Sequence, residues 1–233
     1  VRVINCSKLL QSTNTLKELK RYSAVKKETP KWMLRFSKTT SPIVVWNITL
    51  KCNLSCAHCY ISAVGPEAES EAVSAADMEE LTTREAMDMI DDLVSIKSPM
   101  LVFSGGEPLL RNDLYELNVY AMKQGLRTIL STNSTLITKE VASKIKKAGF
   151  VYVGVSLDGT EEVHDRFRGA KGAFEKSLQG LRNLMEVGVS TGVRFAITNQ
   201  NYDELSKVLE ITRREKIPRF SLFQLVYGGR GKE

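Results

Sequence analysis

The sequence predicts an α/β fold in which six strand and helix units form an incomplete (β/α)6 barrel. From residue 42 onwards, short apolar stretches alternate with amphipathic helical patterns, which implies parallel strands joined by right-handed crossovers. Polar residues follow the apolar stretches, and the carboxyl ends of the strands are where such barrels keep their chemistry. A length of 233 residues is enough to bury one complete core.

A doubly wound open sheet is the alternative fold with the same alternation of strands and helices. In dinucleotide-binding sheets of that class, a GxGxxG motif follows the first strand. Here the corresponding turn lies in the stretch WNITLKCNLSCAHCY and is occupied by cysteines. The barrel is therefore the preferred prediction.

The first 41 residues are predicted to be a basic extension, and residues 42–233 to be the barrel. The extension contains ten Lys or Arg and two Glu, so it has a net charge of +8 in a chain of net charge +6. Such a charge run usually marks a solvated face, and the few aromatic residues among these cations argue against nucleic-acid binding. No membrane-spanning run or signal peptide is present, so we expect a cytoplasmic protein.

The first barrel strand is predicted to cover residues 43–50, directly before the cysteines. Residues 61–76 are rich in Ala, Glu and Ser and contain no Lys or Arg, which is typical of a long surface loop. Asp77 is the predicted N-cap of a helix that ends near Ile96.

Five further units repeat one pattern, in which an apolar strand is followed by a polar strand end and a helix closed by glycine. Asp113 and Glu116 are predicted to form a capping box for the second helix, which ends before Gly125. The predicted strands cover residues 100–103, 127–130, 151–155, 193–197 and 220–226. The later helices are predicted at residues 138–149, 174–185 and 205–212.

Three of the four cysteines lie close together, at Cys52, Cys56 and Cys59. Thiolates at this spacing can converge on one inorganic centre, whereas disulfides between them would be strained. A closed zinc site needs a fourth ligand, for which the chain offers His58, adjacent to Cys59, or the distant Cys6. On a four-iron cluster, three thiolates leave one iron free to bind a substrate or cofactor. The spacing favours the cluster and leaves zinc as the alternative.

The CxxxCxxC spacing resembles the signature of the radical S-adenosylmethionine (SAM) superfamily. The resemblance implies a TIM-like partial barrel with a [4Fe-4S] cluster on the three cysteines. It also implies that the open iron chelates SAM, and that the reduced cluster cleaves SAM to a 5'-deoxyadenosyl radical. Tyr60, directly after the last cysteine, is a candidate cofactor-binding residue. No catalytic residue is predicted beyond the ligands of the cluster and of SAM.

The motif SGGEP follows the second strand of the barrel and supplies Gly105, Gly106 and Glu107. Adjacent glycines let the backbone approach a ligand, and a carboxylate accepts hydrogen bonds from an ammonium group. A tight turn would also use two glycines. The resemblance implies that these three residues contact the methionyl amino end of SAM.

The ends of later strands supply four more candidate SAM-binding residues: Asn133, Ser156, Asp158 and Arg168. By resemblance, Ser156 lies beside the ribose with Asp158 as support, and Arg168 pairs with the SAM carboxylate. Asn133 lies in STNS, where the family usually has TNG, so either Ser134 adopts a conformation that glycine takes freely or the turn differs. His164 is interpreted as structural.

The stretches VVWNITLKCNLSCAHCY, FSGGEPLLR, VGVSLDGTEEVHDRFRGAKGAF and LVYGGRGKE resemble the branch of this superfamily that alters tetrapyrrole side chains. They therefore favour a sirohaem-derived substrate in haem or d-type haem synthesis. The alternative is a peptide substrate, as in the peptide and sulfatase maturases of the same superfamily. A flavodoxin or ferredoxin is the implied electron donor. A non-enzymatic iron-sulfur or zinc-binding interaction protein is the alternative in another class.

Both enzyme branches often carry a C-terminal extension with further cysteines, and no cysteine follows Cys59 here, so the sequence is expected to be either a shorter protein or a fragment.

Overall fold

A computed structural model describes residues 4–5, 42–61, 63–66 and 80–232 of the chain. Most of the basic extension, Cys6, Asp77 and much of the predicted loop at 61–76 lie outside the described residues. The predictions for these parts of the chain therefore stay predictions.

The strands and helices follow one another along the barrel with few interruptions. The strands are β1 (Ile4–Asn5), β2 (Val44–Asn47), β3 (Met100–Ser104), β4 (Arg127–Thr132), β5 (Tyr152–Ser156), β6 (Thr191–Ile197) and β7 (Phe220–Gln224). The α-helices are α1 (Thr83–Ser95), α2 (Leu114–Lys123), α3 (Lys139–Ala148), α4 (Glu161–Arg168), α5 (Ala173–Glu186) and α6 (Leu205–Arg214).

The strands form a single sheet in the order β1-β7-β6-β5-β4-β3-β2, as far as the described residues extend. Each strand from β2 to β7 pairs in parallel with the next one along the chain, with helices between them. This arrangement is a half-barrel and confirms the predicted fold class. The short strand β1 was not predicted; it pairs antiparallel with β7.

The core lies between the convex face of the sheet and the helices packed on it. Phe103, Leu130, Val155 and Phe195 point outward from four neighbouring strands and are fully buried. Because side chains alternate between the two faces of a strand, their neighbours line the concave face of the half-barrel. The concave face is therefore available for a ligand.

The first turns of two helices differ from the predictions: α1 is capped by a residue other than Asp77, and α2 begins after Asp113 as predicted but lacks the capping box. Helix α1 begins at Thr83 and is capped by Thr82, whose hydroxyl accepts the Glu85 N–H while the Glu85 carboxylate accepts the Thr82 N–H. Asp113 does occupy the N-cap of α2, but its side chain makes no capping bond. The Asp113 carboxylate instead accepts hydrogen bonds from Arg111 and Thr83, so a tertiary contact replaces the predicted capping box.

The predicted ends of the helices agree better with the structure, because glycine readily adopts the left-handed conformation that ends a helix. Helix α3 lies between Thr138, which caps it, and Gly149, which adopts the left-handed conformation. The stretch between β5 and β6 contains two helices, α4 and α5, where one was predicted. Gly169 ends α4, in the left-handed conformation, directly after Arg168.

Candidate functional site

A cavity of about 740 Å³ lies at the carboxyl end of the half-barrel and extends along its concave face. Its size is typical of a ligand-binding site. The loops and turns supply Ile43, Cys52, Cys56, Cys59, His58, Tyr60, Gly105, Gly106, Asn133, Asp158 and Arg230, and the end of α4 supplies Arg168. The strands supply Val45, Val102, Ser104, Ile129, Ser131, Tyr152, Ser156, Arg194, Ala196, Ser221 and Phe223. Almost all of the predicted site residues therefore meet here.

The cysteine loop begins after β2 and brings its three thiols together beside α5. Cys56 is buried, and Cys52 and Cys59 are half-buried and pack against the same small cluster with Leu54 and Ala173. Burial raises the pKa of the Cys52 thiol to about 11, so a bound cation has to displace its proton. In the described part of the chain, no three His, Cys, Asp or Glu side chains are gathered tightly enough to hold a single metal ion.

Arg230 holds the cysteine loop from the far end of the chain. Its Nε donates to the carbonyl of Cys56 at 2.9 Å, and its Nη1 donates to the carbonyl of Ala63 at 2.9 Å. The Ala57 N–H also donates to the carbonyl of Phe167, at 2.9 Å, which ties the loop to α4. These contacts fix the backbone that carries the thiols.

Gly105 and Gly106 let the turn after β3 lie directly on the segment that leads to Cys52. A Cβ on Gly105 would lie 2.5 Å from the Thr49 carbonyl oxygen, and one on Gly106 would lie 2.1 Å from that of Lys51. Gly105 also has a φ of 137°, which favours glycine. The Gly106 N–H donates to Thr49, and the Glu107 N–H donates to Lys51, both at 2.8 Å. The glycine pair is therefore needed for packing as well as for lining the cavity.

Glu107 is fully buried and does not line the cavity. Its carboxylate accepts from the Thr132 hydroxyl at 2.7 Å, the Asn133 N–H at 2.8 Å and the Leu109 N–H at 3.2 Å. Burial raises the pKa of Glu107 to about 7, although these hydrogen bonds oppose the shift. Glu107 thus ties the end of β3 to the end of β4, and its predicted contact with SAM stays a prediction.

Asp158 is also fully buried, but it is surrounded by positively charged or ionisable groups. It forms an ion pair with Arg168 and lies 3.5 Å from His58 Nε2, and it accepts from the Ala196 N–H at 3.0 Å. Burial alone would raise the pKa of Asp158, but the charge of Arg168, with smaller contributions from the histidines, holds it below its usual value.

Arg168 links Asp158 to the cysteine loop. Its Nη1 donates to the Cys56 sulfur at 3.6 Å, while its Nη2 pairs with Asp158. The side chain is 8% exposed, and its Nε has no hydrogen-bond partner among the described residues. In the structure Arg168 contacts a protein carboxylate and a thiol, and its predicted pairing with the SAM carboxylate stays a prediction.

Asn133, Ser156 and Tyr60 line the cavity, and the side chains of Asn133 and Tyr60 also form hydrogen bonds within the protein. The Asn133 amide contacts Asn53 at 2.9 Å and Thr135 at 2.7 Å, so its side chain shapes the turn. The Tyr60 hydroxyl donates to Asn47 at 2.9 Å. Ser134 has a φ of 61°, which is the left-handed conformation, the first of the two alternatives predicted from the missing glycine.

The residues around the cysteines fit an iron-sulfur cluster and a polar cofactor. Three thiols form a donor set suited to iron-sulfur centres. Three buried nitrogens beside the loop have no partner among the described residues: His58 Nδ1, Arg168 Nε and Arg230 Nη2. Buried polar atoms without partners are costly, and a bound polar ligand would satisfy them.

Two arginines of the cavity were missed by the sequence analysis. Arg194 lies inside β6, where a lone charge in the stretch TGVRFAI was the available signal. Arg230 lies in the closing stretch YGGRGK, whose glycines gave no indication of a contact with Cys56. Both depend on partners far away in the sequence.

Comparison with known families matches residues 46–211 to the radical SAM superfamily. The chain is 46% identical over 231 residues to Fe-coproporphyrin III synthase of Methanosarcina barkeri, covering 99% of this chain and 56% of that protein. It is 39% identical over 195 residues to pre-heme d1 synthase of Dinoroseobacter shibae, covering 84% of this chain and 46% of that protein. The chain thus spans about half the length of these relatives.

The fold also resembles that of Streptococcus suis SuiB, solved with S-adenosylmethionine bound. The TM-score is 0.65 at 17% identity, covering 91% of this chain and 44% of SuiB. At this identity the likeness supports the half-barrel fold alone. No helix in the described ranges is both long and apolar enough to cross a membrane.

Proposed function

The chain belongs to the radical SAM superfamily, and on that premise we propose that its half-barrel is the catalytic core of an enzyme that modifies side chains of a sirohaem-derived tetrapyrrole. The observation that carries this substrate class is the similarity to the synthases of Fe-coproporphyrin III and pre-heme d1 described above, since both names refer to tetrapyrroles. Because the chain spans only part of those relatives, its activity and substrate stand as proposals.

Cys52, Cys56 and Cys59 would hold a [4Fe-4S] cluster, and the edge formed by Gly105, Gly106 and Ser156 would hold SAM. With both bound, the site would supply reductive cleavage of SAM and a radical able to abstract hydrogen from the substrate. Three nitrogens that have no partner among the described residues, on His58, Arg168 and Arg230, lie beside the cysteine loop and favour a polar ligand there.

The protein's own contribution is to fix the cysteine loop and set its charge. Arg230 and the glycine pair hold the loop backbone. Arg168 brings a buried positive charge within hydrogen-bond distance of the Cys56 sulfur, which stabilises a thiolate ligand. Asp158 holds Arg168 in this position.

The charge of the cavity favours an anionic substrate. Among the charged lining residues that the structure describes, three arginines (Arg168, Arg194 and Arg230) outnumber one carboxylate, Asp158. A tetrapyrrole carries carboxylates and a broad apolar ring, and the strand side of the cavity offers both an arginine and apolar side chains such as Val102 and Ile129. We further propose that the protein works in the reducing cytoplasm with a flavodoxin or ferredoxin as donor.

The test is SAM cleavage by the anaerobically reconstituted chain in the presence of a strong reductant. Coproporphyrin III and a sirohaem-derived precursor are each expected to raise the rate of 5'-deoxyadenosine formation, and Cys56→Ser is expected to abolish it. Stimulation by a peptide but not by any tetrapyrrole would overturn the proposed substrate class. An absence of SAM cleavage in every reaction would overturn the enzymatic proposal itself.

A further inference from the structure

Arg194 is a cation on the concave wall of the half-barrel. It lies in β6, and burial lowers the pKa of its guanidinium below the usual value. Its one hydrogen bond to a described residue goes to the Ser131 hydroxyl on β4. No carboxylate of the described residues pairs with it, whereas Arg168 pairs with Asp158 and Arg111 pairs with Asp113.

The path of the Arg194 side chain is built into the sheet. To reach Ser131 the side chain crosses β5 at Gly154, where a Cβ would lie 2.5 Å from Arg194 Cδ. The guanidinium carbon lies 4.5 Å from the centre of the Phe223 ring on β7, on which it stacks. Glycine, serine and phenylalanine on three different strands thus hold one arginine in one orientation.

The level of the guanidinium in the barrel indicates which ligand it meets. Arg194 pairs in register with Ser156, but Ser131 lies level with Gly154, two residues before the end of β5. The guanidinium therefore lies deeper in the half-barrel than Ser156, which faces the expected position of SAM. A group bound to Arg194 lies on the side of the cavity away from the cysteines.

We propose that Arg194 anchors a carboxylate subsite, in which its free N–H groups bind a side-chain carboxylate of the substrate. An unpaired cation that is largely removed from water is costly, and a planar guanidinium binds carboxylates through paired hydrogen bonds. Val102, Ile129 and Tyr152 line the same part of the cavity and suit the apolar ring of the ligand. The assignment of this carboxylate to a tetrapyrrole rests on the proposed function.

Binding of coproporphyrin III and of SAM to the reconstituted chain tests the subsite, with both measured by titration at equilibrium. Arg194→Met is expected to weaken coproporphyrin III binding about 10- to 100-fold, as for the loss of a hydrogen bond between charged groups. It is expected to leave SAM binding within about threefold of the wild type. Arg194→Lys retains the charge, so its affinity for coproporphyrin III is expected to lie between that of the wild type and that of Arg194→Met.

Two further variants control for charge and for folding. Arg219→Met removes another arginine that stacks on an aromatic ring, Tyr152 at 5.1 Å, but lies outside the cavity lining, so binding is expected to be unchanged. Gly154→Ala keeps the charge but displaces Arg194, and is expected to weaken coproporphyrin III binding as Arg194→Met does. The tetramethyl ester of coproporphyrin III, which lacks the carboxylates, is expected to bind wild type and Arg194→Met equally.

The outcomes separate this inference from the proposed function. Unchanged affinity of Arg194→Met for both ligands, at wild-type thermal stability, would overturn the subsite. Weakened SAM binding alone would assign Arg194 to the SAM carboxylate and overturn its assignment to the substrate. If the wild type binds SAM but no tetrapyrrole, the proposed substrate class fails, and the SAM titration alone then decides whether Arg194 binds a carboxylate.

Discussion

The turns after β3 and β5 each bury one carboxylate completely, yet the two carboxylates have opposite surroundings. Glu107 lies among neutral donors, namely the Thr132 hydroxyl and the N–H groups of Asn133 and Leu109. Asp158 lies against Arg168 and near His58. Burial raises the pKa of Glu107 to about 7, whereas for Asp158 the charge of Arg168, together with His58, His164 and the Ala196 N–H, outweighs burial and keeps the pKa low.

The two carboxylates therefore have different roles, although each lies in the turn after a strand. Glu107 holds two strand ends together, and its charge at neutral pH is costly. Asp158 remains charged and fixes Arg168 against the Cys56 sulfur. The carboxylate after β3 is therefore a packing element, whereas the carboxylate after β5 sets the charge beside the cysteines.

The largest expected effect comes from removing the charge of Asp158. Asp158→Asn leaves Arg168 buried without a counter-charge, so the free energy of unfolding is expected to fall by about 3 to 5 kcal/mol in a urea titration. The double variant Asp158→Asn with Arg168→Met is expected to recover most of this loss. Equal losses in the single and double variants would contradict the ion pair as the source of the effect.

For Glu107 the expectation is the opposite of that for Asp158: the free energy of unfolding is higher when this carboxyl group is uncharged. Its pKa in the folded state, about 7, lies above its ordinary value of 4.5, so its contribution to stability is complete below pH 4.5 and is lost as the pH rises through 7. Relative to Glu107→Gln, the wild type is expected to lose about 2 to 3 kcal/mol of unfolding free energy between pH 5 and pH 8. Glu140→Gln, at an exposed site, should show the same dependence of the unfolding free energy on pH as the wild type. If Glu107→Gln also shows the wild-type dependence on pH, the raised pKa of Glu107 is contradicted.

A smaller effect with the reverse sign is expected at His164, beside Asp158. Its imidazole accepts the Asp158 N–H at 3.1 Å, and burial lowers its pKa from 6.5 to about 3. Its contribution is therefore complete above pH 6.5 and is lost as the pH falls through 3. Relative to His164→Asn, which retains an acceptor, the wild type is expected to lose about 2 kcal/mol between pH 7 and pH 5 in thermal or urea unfolding. A difference that does not change with pH would contradict the lowered pKa of His164.

The sequence predicted the barrel and its mouth because apolar strands, glycine helix ends and strand-end motifs are local signals. The left-handed Ser134 was predictable, as one of two alternatives, for the same reason. The role of Glu107 was not, because its partners Thr132 and Asn133 lie on the next strand. Arg194 was missed because its direction depends on Ser131 and Gly154, which only the folded sheet brings together.

The central claim is that the three cysteines at the mouth of the half-barrel hold a [4Fe-4S] cluster that binds SAM. The most direct test is iron analysis of the anaerobically reconstituted chain, with electron paramagnetic resonance of the reduced protein before and after SAM is added. We predict about four irons per chain, a spectrum that changes with SAM, unchanged iron in Cys6→Ala and loss of iron in Cys56→Ser. Stoichiometric zinc after anaerobic purification, with no iron-dependent absorbance after reconstitution, would contradict the claim.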